Sequence, residues 1–325
     1  MLTGGLLGCM LLFSAAPGYG LQMVYPVDGS WLTASGYLII KGGDKPALDG
    51  VAIDINGVKS DVIDISAPAY RKAFRDFVIL QADFDPGVNR IVIEGYLGSK
   101  RVSEVRSEIF LVDERTQAPP AKFRAGPFHL PEREALCQGC HSMNPSAQEL
   151  AQAQAKKNPC GSCHARMLDR KHVHGPAGVF ECTYCHQTDS RPAKYVPRDA
   201  DGKICLECHD DKVKEYRAAK FVHGPVEAVL CVVCHDPHAS DQPAQLVEKA
   251  NDLCSSCHAE VREGQHVLRG VQGSGHPLSG RISPLDPGKE FNCASCHDPH
   301  AGQGPELFRG GVTNRFEFCR LCHKK

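Results

Sequence analysis

The chain has 325 residues and a mass of 35.3 kDa, with 38 acidic and 37 basic side chains. This length is enough for two domains. The near-neutral charge and the lack of a basic block argue against a nucleic-acid partner, because binding to phosphate backbones requires clustered Lys and Arg.

The N-terminal segment 1–20 is apolar as far as Phe13 and is then rich in small, turn-forming residues. This pattern predicts a secretory signal peptide, although a basic start is missing. Cys9 follows Leu-Leu-Gly as in a lipoprotein box, but the apolar run continues beyond it, which favours an ordinary signal-peptide residue over lipidation. Nothing later is apolar for long enough to span a bilayer. We therefore expect an exported protein, periplasmic or at the cell exterior, without an integral membrane span.

The next segment, 21–114, contains no histidine and is rich in Val, Ile, Phe and Tyr in short runs. Such runs predict strands, and Asn56-Gly57 and Pro86-Gly87 predict turns between them. Several strands in about ninety residues favour a β-sandwich. The predicted strands include Gly36–Lys41, Val51–Ile55, Phe77–Phe84, Arg90–Tyr96 and Val105–Val112.

Two stretches of this segment, Pro26-Val27-Asp28-Gly29 and Pro86–Gly95, resemble bacterial immunoglobulin-like domains. The resemblance implies an all-β immunoglobulin-like sandwich that acts as a spacer or folding cap, or that docks a partner or a cell surface. The following residues 115–127 contain three prolines and no periodicity, which predicts a linker. The second domain is therefore predicted to span 128–325.

Sixteen of the seventeen cysteines stand in eight Cys-x-x-Cys-His motifs. This spacing lets two cysteines form thioethers with the vinyl groups of one haem while the histidine binds its iron. Zinc ribbons and disulfide scaffolds also contain repeated cysteine pairs, but they do not require a histidine after every second cysteine. We therefore predict eight covalently bound haem c groups. The motifs are Cys137/Cys140/His141, Cys160/Cys163/His164, Cys182/Cys185/His186, Cys205/Cys208/His209, Cys231/Cys234/His235, Cys254/Cys257/His258, Cys293/Cys296/His297 and Cys319/Cys322/His323.

The motifs repeat in pairs, and each pair with its preceding histidine is called a module here. The first cysteines of the paired motifs are 137/160 in module 1, 182/205 in module 2, 231/254 in module 3 and 293/319 in module 4. A leading histidine stands eight residues before the first cysteine of modules 1 to 3, and 17 residues before it in module 4. The leading histidines are His129, His174, His223 and His276.

The modules predict little regular structure apart from helices at Ser146–Lys157 and Asp211–Lys220. So many loops cannot form a stable core alone, so the haems are expected to supply it.

Eight histidines lie outside the motifs, as many as there are motifs, and all lie in the second domain. We expect them to be distal ligands, giving bis-histidine coordination of every iron, with Met143 and Met167 as packing residues. His238 and His300, the closing histidines, each end a Cys-His-Asp-Pro-His string. Each lies three residues after a motif histidine, on the side of the ring already occupied, and should bind a neighbouring haem. The predicted distal ligands are His129, His172, His174, His223, His238, His266, His276 and His300.

With these motifs, the C-terminal region resembles multihaem c-type cytochromes of the doubled CxxCH kind from bacterial and archaeal respiration. The resemblance implies a relay of closely spaced low-spin haems that carries electrons between redox proteins, through an outer-membrane conduit or along a filament of identical subunits. The alternative is an octahaem reductase for nitrite, hydroxylamine or a sulfur oxyanion, which would keep one haem open-coordinated. All eight motif histidines are present, which favours the relay.

Overall fold

The computed structural model describes residues 20–33, 36–42, 47–112, 118–199, 202–262 and 279–323. The predicted signal peptide with Cys9, except Gly20, lies outside the described residues, as do His266 and His276. The chain divides into two compact units, with the boundary between Phe128 and His129.

The N-terminal unit consists of ten strands and one helix among its described residues. The elements in chain order are β1 (Gln22–Tyr25), β2 (Ser30–Leu32), β3 (Gly36–Lys41), β4 (Gly50–Ile55), β5 (Val58–Lys59), β6 (Ile63–Asp64), α1 (Pro68–Phe74), β7 (Phe77–Ala82), β8 (Gly87–Leu97), β9 (Lys100–Leu111) and β10 (Arg124–Ala125). All five strands named from the sequence are present, whereas α1 was not predicted.

These strands form two sheets that share one core. The first sheet has the order β1-β3-β7, and the second has the order β10-β2-β9-β8-β4-β5, with β6 also paired to β4. Pairing is antiparallel except for β10 with β2 and β2 with β9. The strand β10 lies inside segment 115–127, so the end of the predicted linker is part of this sheet. Apolar side chains from both sheets fill the space between them, among them Leu38, Ile40, Val51, Ile93 and Ile109.

The two predicted turns are fixed by local chemistry. Asn56 and Gly57 both have positive φ, 55° and 88°, and connect β4 to β5 as a two-residue hairpin. The turn at Pro86-Gly87 is held by Asn89, which is fully buried. Its amide nitrogen donates to the carbonyl oxygens of Asp85 (2.7 Å) and Gly87 (3.1 Å), which satisfies the buried amide group.

The C-terminal unit contains short helices and two-residue strands joined by loops. Its elements are α2 (Pro131–Cys137), α3 (Ala147–Leu150), α4 (Gly161–His164), β11 (His172–Val173), α5 (Gly175–Gly178), α6 (Cys182–Cys185), α7 (Lys203–Arg217), β12 (Phe221–Val222), α8 (Gly224–Glu227), β13 (Ala239–Ser240), α9 (Ala250–Cys257), α10 (Ala259–Arg262), β14 (Ala301–Gly302) and α11 (Arg315–Cys322). Of the predicted helix Ser146–Lys157, only α3 forms. The predicted helix Asp211–Lys220 is the second half of α7, which already begins at Lys203.

The two units differ sharply in how many apolar side chains they bury. Among the described residues, the N-terminal unit has nineteen buried hydrophobic side chains, and the C-terminal unit has five. Those five are Phe180, Ala193, Ala239, Leu253 and Phe318. A polypeptide of this length normally needs a much larger apolar core to remain folded. The C-terminal unit therefore fits a protein whose core comes largely from prosthetic groups.

Candidate functional site

Each Cys-x-x-Cys-His motif forms a single turn of helix. The amide of the histidine donates to the carbonyl oxygen of the first cysteine, at 2.8–3.0 Å in the seven motifs other than the one inside α7. His209 of that motif leaves helical geometry (φ −106°, ψ 18°). One such turn brings the two cysteines and the histidine to the same side of the chain. All sixteen motif cysteines are free of disulfide bonds.

Five motif histidines face a second histidine from elsewhere in the unit. In every pair the ring centroids are 6.0–6.2 Å apart, and in four of the five the ring planes are inclined by 25° or less. The pairs are His129 with His164, His174 with His209, His186 with His238, His223 with His258 and His235 with His300.

This separation matches that of two imidazoles bound to one metal ion. Nitrogen–metal distances of about 2.0 Å on opposite sides of an ion place the two ring centroids roughly 6 Å apart. Each pair also includes a motif histidine, which has two cysteines within one helical turn of it. The residues present therefore fit a haem with two axial imidazoles at each of these five positions.

Hydrogen bonds to Nδ1 fix which ring nitrogen remains for the metal. His174 and His223 each place Nδ1 2.9 Å from the carbonyl oxygen of a proline, Pro237 and Pro299 respectively. The motif histidine His186 does the same with the carbonyl oxygen of Tyr195, at 2.7 Å. A carbonyl oxygen only accepts, so Nδ1 carries the proton and the lone pair of Nε2 is free to bind iron. Such contacts also orient the ring and increase its strength as a ligand.

The pairs follow a simple register along the chain. In modules 1 to 3, the leading histidine faces the second motif histidine of its own module, as His174 faces His209. A closing histidine faces the first motif histidine of the preceding module, as His238 of module 3 faces His186 of module 2. In module 2 and in module 3, one motif histidine therefore faces a histidine of the same module and the other faces a histidine of the next module. The closing histidines thus face a motif histidine of a neighbouring module, and binding of its haem stays a prediction.

Two short ladders hold these histidines together, and we call each of them a joint. In the joint of modules 2 and 3, β11 pairs with β13, and the amide of His174 donates to the carbonyl oxygen of His238 at 2.9 Å. In the joint of modules 3 and 4, β12 pairs with β14, and His223 donates to His300 at the same distance. An aspartate precedes each closing histidine by two residues and accepts its amide, at 2.8 Å from Asp236 in the first case. Two histidines that face two different motif histidines are therefore adjacent and connected by a backbone hydrogen bond.

The joint of modules 1 and 2 is built differently. The amide of Lys194 donates to the carbonyl oxygen of His129 at 3.0 Å, and its ammonium lies 2.7 Å from the buried carboxylate of Glu134. That carboxylate also accepts from Nδ1 of His129 at 3.1 Å. Burial lowers the pKa of His129, so its ring stays neutral, as a metal ligand must be. The Lys194–Glu134 ion pair thus connects modules 1 and 2, where a two-strand ladder connects the later modules.

For the motif histidines of module 4, an imidazole pair stays a prediction, because His266 and the leading histidine His276 lie outside the described residues. His323 caps the C-terminal end of α11, where its backbone leaves helical geometry (φ −96°, ψ 85°), and its side chain is exposed. Neither His323 nor His297 belongs to the five pairs. The assignment of His323 as a proximal ligand therefore rests on its motif, and its bis-histidine coordination stays a prediction.

Cysteines of successive motifs are neighbours. The thiol of Cys160 donates a hydrogen bond to that of Cys182, which lowers the pKa of Cys182 to about 7. Cys205 lowers the pKa of Cys231 to about 6 in the same way, and Cys254 lowers that of Cys293 to about 7. Weaker electrostatic interactions connect the remaining successive motifs, through Cys137 with Cys163, Cys185 with Cys208, Cys234 with Cys254 and Cys296 with Cys322. The motifs are therefore arranged in space in the order of the sequence.

Three aromatic side chains that the sequence did not indicate lie against these histidines. Tyr216 stacks on His300 with centroids 4.5 Å apart, and Phe308 lies against His297 at 5.2 Å. Tyr195 contacts His129 edge-on at 4.7 Å. No sequence signal separates them from other aromatic residues, because each reaches its histidine from a distant loop or helix.

Of the remaining predicted distal ligands, His172 is the one that lies in the described part of the chain. His172 starts β11 and is half-buried, and no described motif histidine faces its ring. Met143 and Met167, the predicted packing residues, are half-buried and 41% exposed respectively.

Within the described ranges, no helix has the length and apolar character to cross a membrane. The same ranges contain no group of three or more His, Cys, Asp or Glu side chains suited to hold a free metal ion.

Comparisons with known proteins identify the repeat. The family described as "Doubled CXXCH motif" matches residues 174–214, 223–263 and 285–325. No curated protein matches the sequence. Two solved structures are similar, both at low score. They are an endo-beta-1,4-mannanase from Thermotoga petrophila (13% identity, TM-score 0.22, 28% of this chain and 19% of that chain) and fibronectin(III)-like modules of CbhA from Clostridium thermocellum (14% identity, TM-score 0.19, 27% and 92%).

TM-scores this low do not establish a shared fold, and this chain spans only about a fifth of the mannanase. The family match rests on the cysteine and histidine spacing itself, and each of its first two segments begins at a leading histidine. Three doubled CXXCH repeats indicate a multihaem c-type cytochrome with covalently bound haem c, which is consistent with electron transfer.

Proposed function

We propose that this protein is an octahaem c-type cytochrome that carries electrons through a row of haems. The observation that carries the proposal is the set of five imidazole pairs with centroids 6.0–6.2 Å apart, each containing one motif histidine. A bound haem iron exchanges one electron between its ferric and ferrous states. The protein contributes covalent anchoring, two axial ligands and controlled spacing.

The proposed roles follow the order in which the leading and closing histidines face the motif histidines. Cysteines of all eight motifs anchor the haems, and the eight motif histidines are the proximal ligands. The distal ligands that face a motif histidine are His129, His174, His223, His238 and His300. By the same register, His276 serves the iron of His323, and His266 remains for that of His297. Strong nitrogen donors on both faces favour low reduction potentials.

The cysteine contacts support a linear relay. Because sulfurs of successive motifs are neighbours from Cys137 to Cys322, haems attached to them would follow one another in sequence order. Electrons would then enter at one end of the series of modules and leave at the other. Redox proteins are the proposed donor and acceptor, with an outer-membrane conduit or a further copy of this chain as forms the acceptor could take.

We further propose export of the protein, because covalent haem attachment and the apolar N-terminal segment both fit a location outside the cytoplasm. The N-terminal sandwich is proposed to be immunoglobulin-like and to act as a spacer. No residue is assigned a catalytic role in the relay.

The test is a haem count combined with a reductive titration of the full-length protein. The pyridine haemochrome assay and intact mass should give eight haems per chain, and the variant Cys231→Ala/Cys234→Ala should give seven. Stepwise reduction should then take up one electron per haem. Purified protein that contains zinc in place of haem, or haems that a reduced redox protein cannot reduce, would refute the proposal.

A further inference from the structure

The register of the closing histidines supplies no distal ligand to the first motif of module 1. First motif histidines of modules 2 and 3 are faced by His238 and His300, each three residues after the first motif histidine of the following module. The first motif histidine of module 1, His141, would require a closing histidine in module 2. The residue three positions after His186 is Asp189.

The described residues offer no substitute for this ligand. His141 is exposed, and no other imidazole in the described part of the chain faces it. Outside the motifs, His172 is the one described histidine that faces no motif histidine, and its backbone is held opposite Ser240 in the joint of modules 2 and 3. Among the described residues, none of the histidine ring pairs joins His172 to His141.

The joint of modules 1 and 2 is held together without a closing histidine at position 189. In later joints the loop after the first motif is fixed to the preceding module by the ladder and the closing histidine. Here Lys194 performs that task, since its ammonium donates to the carbonyl oxygen of Met143 at 2.8 Å and to Oδ1 of Asn144 at 2.7 Å. Both acceptors closely follow the first motif. This loop is thus attached to module 1 without an imidazole.

The surroundings of the first motif admit water. Asp189 is exposed, and a small cleft at this joint is lined mainly by polar side chains, including Gln138 of the motif and Arg191. Met143 lies two residues after His141, and its carbonyl oxygen accepts a hydrogen bond from the Lys194 ammonium at 2.8 Å.

We propose that the haem attached at Cys137 and Cys140 has a sixth coordination position open to a small exogenous ligand of the carbon monoxide or cyanide type. This inference rests on the proposed octahaem function, and it departs from the expectation that every iron has two histidines. It makes the first haem a ligand-binding site at one end of the relay.

The test uses the intact protein with all haems attached, and its readout is spectroscopic. Ferric wild-type protein should show one high-spin haem per chain by electron paramagnetic resonance. The reduced protein should bind one carbon monoxide per chain. The variant Asp189→His, which supplies the missing closing histidine, should lose both signals, whereas the control Asp189→Asn should keep them.

Two further variants keep the outcome decisive if the new histidine does not reach the iron. Cys137→Ala/Cys140→Ala removes the first haem and should abolish carbon monoxide binding while the remaining haems stay low-spin. His172→Ala should leave the wild-type stoichiometry unchanged. A new high-spin haem in His172→Ala, or wild-type protein that is low-spin throughout and binds no carbon monoxide, would overturn the inference. The haem count and the reductive titration would be unaffected by that result, so the proposed function would stand separately.

Discussion

Replacement of His238 by alanine tests whether distal ligands cross from one module to another. In the structure its ring faces that of His186 at 6.0 Å, with the ring planes inclined by 11°. The substitution removes the imidazole and keeps the backbone of the joint, because the amide and carbonyl of residue 238 make the hydrogen bonds to Asp236 and His174. We expect a single iron to lose its sixth ligand.

The expected magnitude is one additional high-spin ferric haem per chain relative to wild type, with no second centre affected. The haem of His209 should remain low-spin, since its distal ligand His174 is still fixed by the carbonyl oxygen of Pro237. Loss of the weak contact between His238 and Asp236, at 3.5 Å, should change the free energy of unfolding by less than about 1 kcal/mol.

The measurement is quantitative electron paramagnetic resonance of the oxidised protein, repeated with millimolar imidazole. Added imidazole should refill the position and restore the low-spin signal, which a general disruption of packing would not allow. His300→Ala is the matched variant in the next joint and should behave in the same way. An unchanged spectrum in His238→Ala, or high-spin conversion of several haems at once, would refute the assignment of ligands between modules.

Three other predictions concern stability. Asn158→Ala should lower the free energy of unfolding of the C-terminal unit by about 2–4 kcal/mol in chemical denaturation, because the buried amide donates to three carbonyl oxygens and accepts from the amide of Cys160. The control Ser162→Ala, at an exposed position, should cost less than about 0.5 kcal/mol. Glu94→Gln should destabilise the protein at pH 7 but not near pH 2: a hydrogen bond from Lys59 lowers the pKa of Glu94 to about 2, so the ionised carboxylate favours folding above about pH 4.5 and that advantage disappears as the pH falls towards 2. Protein made without haem attachment should lose the C-terminal unit to limited proteolysis and keep the N-terminal unit intact, because only the latter has its own apolar core; equal protection of both units would contradict this.

The sequence was sufficient where local chemistry determines structure. The strands of the N-terminal unit were predictable because apolar residues in Val51–Ile55 and Arg90–Tyr96 face a core formed by nearby strands. The hairpin at Asn56-Gly57 was predictable because few residues accept two positive φ values in succession. The motifs were predictable because the distance between the vinyl groups of a haem sets the cysteine spacing.

Prediction failed where tertiary contacts determine structure. The Ala- and Gln-rich segment Ser146–Lys157 has helical propensity, but the Asn158 side chain donates to the carbonyl oxygens of Leu150 and Gln152 within the same loop. These bonds take carbonyl groups that a continuous helix would use, so the helix ends at Leu150. The linker prediction missed β10, since two residues in a proline-rich segment give no strand pattern, and pairing with Ser30 and Trp31 forms the strand.

The distal ligands show the same division between local and long-range information. Counting histidines identified candidates, but a count cannot distinguish His172 from His174, which are two residues apart. The ladder between β11 and β13 makes the distinction, because it places the amide of His174 on the carbonyl oxygen of His238 and leaves His172 opposite Ser240. Matching numbers of imidazoles and motifs therefore could not assign each imidazole to a particular motif.

The joints also determine how far each module is an independent unit. In modules 2 and 3, the first motif histidine faces a histidine of the following module, so its pair is not complete without the neighbour. The same short ladder that positions this closing histidine also orients the module's own leading histidine through a proline carbonyl, Pro237 or Pro299. The proposed coordination of two irons and the attachment of two modules thus depend on one set of backbone hydrogen bonds. Where that set is replaced by the Lys194–Glu134 ion pair, the modules are still attached, but no closing histidine is supplied. Attachment and coordination are therefore separable at the joint of modules 1 and 2, which makes the first haem the position where ligand chemistry can differ from that of the rest of the relay.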